Sequence, residues 1–384
     1  MRKVAAKAPL IRRTLQEGSQ MRRNPILFAL ATVVMCVFLG AYTPAQEKAE
    51  PHSGKVLVEA NGTVQVPPES VPLSSFLTPA ARTYMTQHLD QMQQPKLIEQ
   101  VRGVPRFMEP FLKRDDELFA VSRADEQLGG VHVYEYLPKA GISAKNSKRV
   151  LINLHGGGFS GCWPGCAELE SIPISALMRI TVVTVDYRQG PKYKFPAASE
   201  DVARVYKELL KTYDAKNIGI YGCSAGGMLT AESAAWFQTH SLPSPGAIGI
   251  YCAGAGGFGG DSLYMASPTG EARMPSAMFG RASGKGIPQL GYFSGTKPDD
   301  PLVAPLNSPE ILAKFPATLI ITADRDIAMS DAIYTHEQLV KQGVHTELHV
   351  WEGLFHGFFY NADVPESRDA FNVMIQFFDR HLGQ

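Results

Sequence analysis

The sequence predicts an α/β fold with a mostly parallel central sheet and helices on both faces. Three observations predict it. First, short apolar runs rich in β-branched residues alternate with helix-length stretches, and such an alternation packs as a parallel sheet covered on both sides. Second, the run Asn217-Ile218-Gly219-Ile220 leads into Tyr221-Gly222-Cys223-Ser224-Ala225-Gly226-Gly227, and Met228 to Phe237 follows as a helix. A Gly-x-Ser-x-Gly turn between a strand and a helix is a nucleophile elbow, and Ser224 is its candidate nucleophile. Third, 384 residues with 45% hydrophobic and 19% charged content can bury a full core.

The elements follow in order. Residues 1–46 hold seven Lys or Arg and one acidic residue. Arg22 and Arg23 precede an apolar run from Pro25 to Tyr42, and Thr43-Pro44-Ala45-Gln46 forms a small-residue exit. That pattern describes a secretory signal, of ordinary proportions if it starts at Met21. An uncleaved membrane tether through residues 25–42 is the second reading, because the run is at the short limit for a span. Either way the chain is expected to be exported, periplasmic or secreted. Residues 47–75 carry many Pro, Glu, Ser and Gly and read as a linker or arm.

Residues 76–125 read as a helical cap. Thr78 and Pro79 start an amphipathic helix that runs through Tyr84, Met85, His88 and Met92. Further turns are expected at Lys96 to Val101 and Pro110 to Phe119. The α/β domain occupies residues 126–384. Val131 to Tyr136 alternates and reads as an edge strand. Val150 to Leu154, Ile180 to Val185, Asn217 to Tyr221, Ala247 to Tyr251, Ala317 to Thr322 and Glu347 to Trp351 read as the remaining strands. Ala198 to Lys211 and Asp331 to Gln342 are among the intervening helices. The glycine-rich stretch from Cys252 to Pro301 is long and irregular, which suits a second part of the cap. There is no internal repeat.

A serine hydroxyl needs a base within hydrogen-bond reach, and the base needs an acid to orient it. In an open α/β sheet these groups gather beyond the carboxyl ends of the strands. His356 lies just past the last strand, whereas His345 and His349 flank or lie within it. The acid falls in Ala323-Asp324-Arg325-Asp326, and spacing alone does not separate Asp324 from Asp326. Asp331 reads as the start of the next helix. His155-Gly156-Gly157-Gly158-Phe159 follows a central strand and leaves backbone N–H groups free to join that of Ala225 around an oxyanion.

These residues resemble the hormone-sensitive-lipase-like family of α/β hydrolases, which includes bacterial family IV carboxylesterases. The blocks that carry the resemblance are His155-Gly156-Gly157-Gly158-Phe159, Asp186-Tyr187-Arg188, Gly222-Cys223-Ser224-Ala225-Gly226-Gly227, and Asp326 with His356-Gly357-Phe358. Phe195-Pro196-Ala197-Ala198 and Asp300-Pro301 also fall at family-like places, and the match covers about residues 130–384. The resemblance implies an α/β-hydrolase fold with an N-terminal helical cap and a catalytic triad of Ser224, Asp326 and His356. It implies an oxyanion hole of Gly157, Gly158 and Ala225, with His155 structural. It further implies hydrolysis of short- to medium-chain carboxylic esters through an acyl-enzyme, with no metal or organic cofactor. Acyl transfer to an alcohol or amine by the same triad is a second reading. A ligand-binding protein on a hydrolase scaffold is a third, but the plant gibberellin receptors of that kind lack a working histidine.

Cys223 departs from the acidic residue often found before the nucleophile, and Ile327-Ala328 from the usual Pro-Leu. Gln189-Gly190-Pro191-Lys192 also departs, and none of these removes a catalytic group. Tyr187 and Arg188 read as braces between loops. Phe159, Trp163, Phe258 and Phe358 suit either an acyl pocket or the core. With Cys36 in the signal segment, Cys162, Cys166, Cys223 and Cys252 allow three disulfide pairings. Cys162 and Cys166 suit either a bridge or two thiols. No histidine lies at zinc-ligand spacing from them. Formal net charge is zero without a basic stripe, which argues against nucleic acid as a partner. The expected partner is a small-molecule ester.

Overall fold

The computed structural model describes residues 56–274 and 291–383. The segment read as a signal or a tether lies outside the described residues, and so does part of the Cys252 to Pro301 stretch. Among the described residues no helix is long and apolar enough to cross a membrane. They fall into two compact units, divided after Ser70. The first holds a small antiparallel hairpin, β1 (Leu57–Val58) with β2 (Val64–Gln65), inside the stretch expected to be an arm.

The second unit opens with α1 (Pro79–Gln91), α2 (Pro95–Ile98), a two-residue ladder of β3 (Gln100–Val101) with β4 (Val104–Pro105), and α3 (Glu109–Leu118). The Thr78 side chain caps α1 by accepting from the Ala81 N–H at 3.2 Å, as its sequence position predicts. An eight-stranded sheet follows: β5 (Val121–Leu128), β6 (Val131–Pro138), β7 (Val150–Leu154), β8 (Thr181–Val185), β9 (Ile218–Cys223), β10 (Ala247–Tyr251), β11 (Ala317–Arg325) and β12 (Thr346–Phe355). Its order is β12-β11-β10-β9-β7-β8-β6-β5. Only β6 runs against its neighbours, so the sheet is mostly parallel, as expected.

Two expectations need correction here. Val131 to Tyr136 is not the edge of the sheet, because β5 pairs along the whole of β6. Residues 121–125 consequently belong to the sheet rather than to the cap. The polar strand Val-Ser-Arg-Ala-Asp-Glu-Gln-Leu has no period-2 alternation, since most of it faces water. Its one signal was Gly129-Gly130, a two-residue hairpin turn.

The strands sort their side chains by period two. Ile152, Leu154, Ile218, Ile220, Ile248 and Ile250 face α5 (Ala197–Leu209) and α6 (Ala225–Thr239). Leu151, Tyr221, Tyr251, Leu319 and Ile321 face the opposite layer, α4 (Gly165–Met178) and α10 (Pro365–His381). α7 (Ser262–Gly270), α8 (Pro309–Leu312) and α9 (Met329–Lys341) complete the described helices. The ends of β7, β9, β11 and β12 open toward one side, and there the candidate residues meet.

Candidate active site

β9 ends at Cys223 and α6 begins at Ala225, which leaves Ser224 alone to make the turn. It does so at φ 58° and ψ −120°, a conformation that L-residues seldom adopt and that costs of order 1–3 kcal/mol. Its N–H donates to the Tyr251 carbonyl at 2.8 Å, which fixes the turn to β10. The flanking glycines are required by close approach. A Cβ on Gly222 would lie 2.0 Å from the Leu154 carbonyl oxygen, and one on Gly226 would lie 1.6 Å from it. The α6 N-terminus points its unpaired N–H groups at this spot, a setting that favours negative charge.

His356 follows the last residue of β12, and Asp326 follows β11. Their side chains meet at 2.7 Å, His356 Nδ1 to Asp326 Oδ1. The structure thus separates the two acid candidates. Asp324 instead accepts from the Gly353 N–H at 2.6 Å. Asp331 lies in the first turn of α9, as expected. His345 and His349 sit at the other end of β12, beside Glu347. Asp326 is fully buried and also accepts from the Ala328 N–H at 2.8 Å and the Thr322 hydroxyl at 3.0 Å. Burial pushes its pKa up, but the facing His356, the Ala328 N–H and the Cys252 side chain prevail and hold it below the ordinary carboxylate value. Burial likewise disfavours the imidazolium of His356, yet the Asp326 charge outweighs it, so the imidazole pKa is raised. An ionised carboxylate only accepts, so Nδ1 carries a proton, and once the ring is neutral it is Nε2 that holds the free lone pair.

The glycine loop runs from the end of β7 to α4. Within it the Gly156 N–H donates to Glu170 Oε1 at 2.9 Å. No hydrogen bond among the described residues takes up the Gly157 or Gly158 N–H. A Cβ on Gly157 would come within 2.3 Å of the Gly161 carbonyl oxygen, so that position also excludes a side chain. His155 is buried, stacks on Tyr187 at 4.4 Å and bonds the Gly156 carbonyl at 2.7 Å. Burial lowers its pKa to about 4, so it is neutral at pH 7 and structural. Tyr187 donates to the His155 carbonyl at 2.6 Å, and Arg188 pairs with Asp201 and Glu200. Both are braces, as the sequence reading has it.

Ser224, His356, Gly157 and Gly158 line one cavity of about 440 Å³. Its apolar walls are not the aromatics singled out from the sequence. Phe159 is stacked on Tyr292 in the core, and Phe358 is fully buried. The walls come from Tyr84, Met92, Phe107 and Met108 of the N-terminal elements, with Phe355 and Tyr360 from the β12 end. Cys162 and Cys166 also border the cavity and form a disulfide, whereas Cys223 and Cys252 are free and buried.

Sequence reading missed Glu170. It is buried on α4 and accepts from Gly156 N–H, from Asn153 Nδ2 at 2.9 Å, from the Cys223 N–H at 3.3 Å and from the Tyr360 hydroxyl at 2.8 Å. Burial raises its pKa to about 7 against the pull of those donors. The available signal was a pair of glutamates inside the otherwise apolar run Cys166 to Ile174, since buried carboxylates need a reason.

Among the described residues two groups bring possible metal ligands within 4.8 Å of one another. One is Cys252 with Asp326 and His356, where Nδ1 is already held by Asp326. The other is His345, Glu347 and His381, where Arg380 occupies both Glu347 oxygens at 2.8 Å. Neither arrangement leaves its carboxylate free for an ion.

Comparison with known proteins bears on the fold and the family. A family model described as alpha/beta hydrolase fold matches residues 151–360. An acetyl-hydrolase of Streptomyces hygroscopicus is 25% identical over 250 residues, covering 63% of this chain and 79% of that protein. A carboxylesterase/phospholipase LipF of Mycobacterium tuberculosis is 28% identical over 239 residues, covering 61% of this chain and 63% of that one. The crystal structure of an esterase E25 superposes with a TM-score of 0.69 at 26% identity, covering 83% of this chain and 98% of its own. An esterase from the bacterial hormone-sensitive lipase family gives 0.65 at 21% identity over 80% of this chain and 99% of its own, a likeness of fold.

Proposed function

This chain belongs to the alpha/beta hydrolase fold family and is a carboxylic ester hydrolase of the hormone-sensitive-lipase-like type, and we propose that it works through a serine acyl-enzyme. Ser224 attacks the ester carbonyl while His356 Nε2 takes its proton. Asp326 holds the imidazole tautomer and stabilises the imidazolium. The Gly157, Gly158 and Ala225 N–H groups receive the oxyanion. The alcohol leaves with the proton from His356, and water then releases the acid by the same steps in reverse order of partners.

The observation that carries this reading is the 2.7 Å contact of His356 with Asp326, on the wall of the cavity that Ser224 also lines. The strained turn at Ser224 supports it, because that conformation is held only where the surroundings demand it. We propose short- to medium-chain acyl esters, since the cavity is a bounded space of about 440 Å³. Hydrolysis of p-nitrophenyl esters from C2 to C16 tests this, and faster turnover of C12 and longer chains than of C2–C8 would contradict it. We also propose export. The Cys162–Cys166 disulfide supports an oxidising compartment. Recovery of the protein only from cytoplasmic fractions would sink that proposal.

A further inference from the structure

The cavity that Ser224 lines also holds two buried polar side chains that the ester mechanism does not use. His88 comes from α1, and Glu271 caps the C-terminal end of α7. They are 4% and 6% exposed, and His88 Nε2 lies 3.4 Å from Glu271 Oε2. His88 stacks on Phe355, the residue before His356, at 3.6 Å and 6° between ring planes. Phe107 meets it edge-on at 5.8 Å. This is an apolar lining, yet His88 Nδ1 and Nε2 and Glu271 Oε1 have no hydrogen-bond partner among the described residues. Buried polar atoms of native proteins are nearly always paired, because leaving them bare is unfavourable. Here the atoms border the space into which the substrate must go.

We propose that His88 and Glu271 form a polar subsite of the substrate cavity that holds a hydrogen-bond donor on the ester, a hydroxyl or an ammonium group. Glu271 Oε1 is an acceptor, so the substrate group facing it donates. His88 meets the same group with whichever ring nitrogen suits it. The natural ester is then not a bare alkyl ester. The inference rests on the serine esterase reading and deepens it by naming the substrate class. It also gives the irregular stretch after Cys252 a role, since Glu271 lies within it.

The test compares kcat/KM for matched esters. On the acyl side these are p-nitrophenyl butanoate, 3-hydroxybutanoate and 3-aminobutanoate. On the alcohol side they are the propyl, 3-hydroxypropyl and 3-aminopropyl esters of butanoic acid. Wild type should favour at least one donor-bearing ester over its alkyl partner by about tenfold or more. The double variant His88→Leu/Glu271→Leu should bring that ratio to about one or below. Because each ratio is internal to one preparation, partial unfolding cancels. Glu271→Gln, which keeps shape and an acceptor oxygen, separates the donors. An ammonium preference should fall with the charge, and a hydroxyl preference should persist. Alkyl esters turned over as well as their donor-bearing partners in every pair would overturn the subsite and leave the serine reading standing. A preference unchanged in the double variant would overturn it too. Absence of Ser224-dependent hydrolysis of any ester overturns both.

Discussion

Glu170 on α4 accepts a hydrogen bond of 2.9 Å from the Gly156 N–H, which places a buried carboxylate directly beneath the glycine loop. The same carboxylate accepts from the Cys223 N–H, next to Ser224, and from the Tyr360 hydroxyl, four residues past His356. One side chain therefore ties together the loops that carry the proposed oxyanion donors, nucleophile and base. Hydrogen bonds to a charged group contribute about 1.5–3 kcal/mol each, and removing the acceptor strands every donor at once.

Glu170 should act as a positioning residue. Glu170→Leu is expected to lower kcat by about 10–100-fold, as a misplaced oxyanion donor does, with KM little changed. Glu170→Gln keeps one acceptor oxygen and should recover part of that loss. Steady-state kinetics on both variants, beside their melting curves, checks this. Equal losses of kcat and KM effects in proportion to lost stability would indicate a merely structural part.

The pH profile should have its acid limb above the ordinary histidine range. His356 must be neutral to take the serine proton, so activity is lost as pH falls through its pKa. Burial alone would lower that pKa, but Asp326 raises it. Asp326→Asn removes the raising charge. The limb of kcat/KM should then move to lower pH, while kcat falls by roughly 10³–10⁴-fold. A limb that stays in place in Asp326→Asn would contradict the pairing.

The glycines that flank the elbow should tolerate no side chain. With only 1.6 Å to the Leu154 oxygen, Gly226→Ala should destabilise by more than ~3 kcal/mol or fail to fold. Gly161→Ala is the control, because a Cβ there meets nothing within 4 Å and stability should shift by less than ~0.5 kcal/mol. Chemical denaturation measures both.

The Cys162–Cys166 bridge closes a short loop beside the cavity. Replacing both cysteines with serine should cost about 2 kcal/mol by the loop-entropy relation. A change in denaturation midpoint reads it directly.

Much of the sheet and most of the candidate site could be read from the sequence, because both leave local marks. Central strands appear as β-branched runs, and the elbow and the glycine loop need glycines at fixed offsets. Position after a strand end singled out His356. Spacing alone left Asp324 and Asp326 open and only the family resemblance favoured Asp326, because what separates them is spatial: Asp326, just past β11, meets His356, while Asp324, within β11, bonds the Gly353 N–H. The polar edge strand Val121–Leu128 left no hydrophobic period to find. Glu170, His88 and Glu271 were hidden for another reason. Their meaning lies in neighbours far away in the chain, such as Glu170 with Tyr360 and His88 with Glu271. The cavity walls were missed likewise, because Tyr84 and Met92 read as ordinary helix-face residues and Phe107 fell between the expected helical turns, with nothing local to mark any of them as lining a cavity.

The most direct measurement of the central claim is covalent labelling by a fluorophosphonate, read by intact mass and peptide mapping, beside p-nitrophenyl butanoate hydrolysis by wild type and Ser224→Ala. The expected result is one label per chain on Ser224, together with loss of at least ~10³-fold in kcat in a variant that melts like wild type. A folded Ser224→Ala enzyme that keeps its activity, or a label on another residue, would contradict the account.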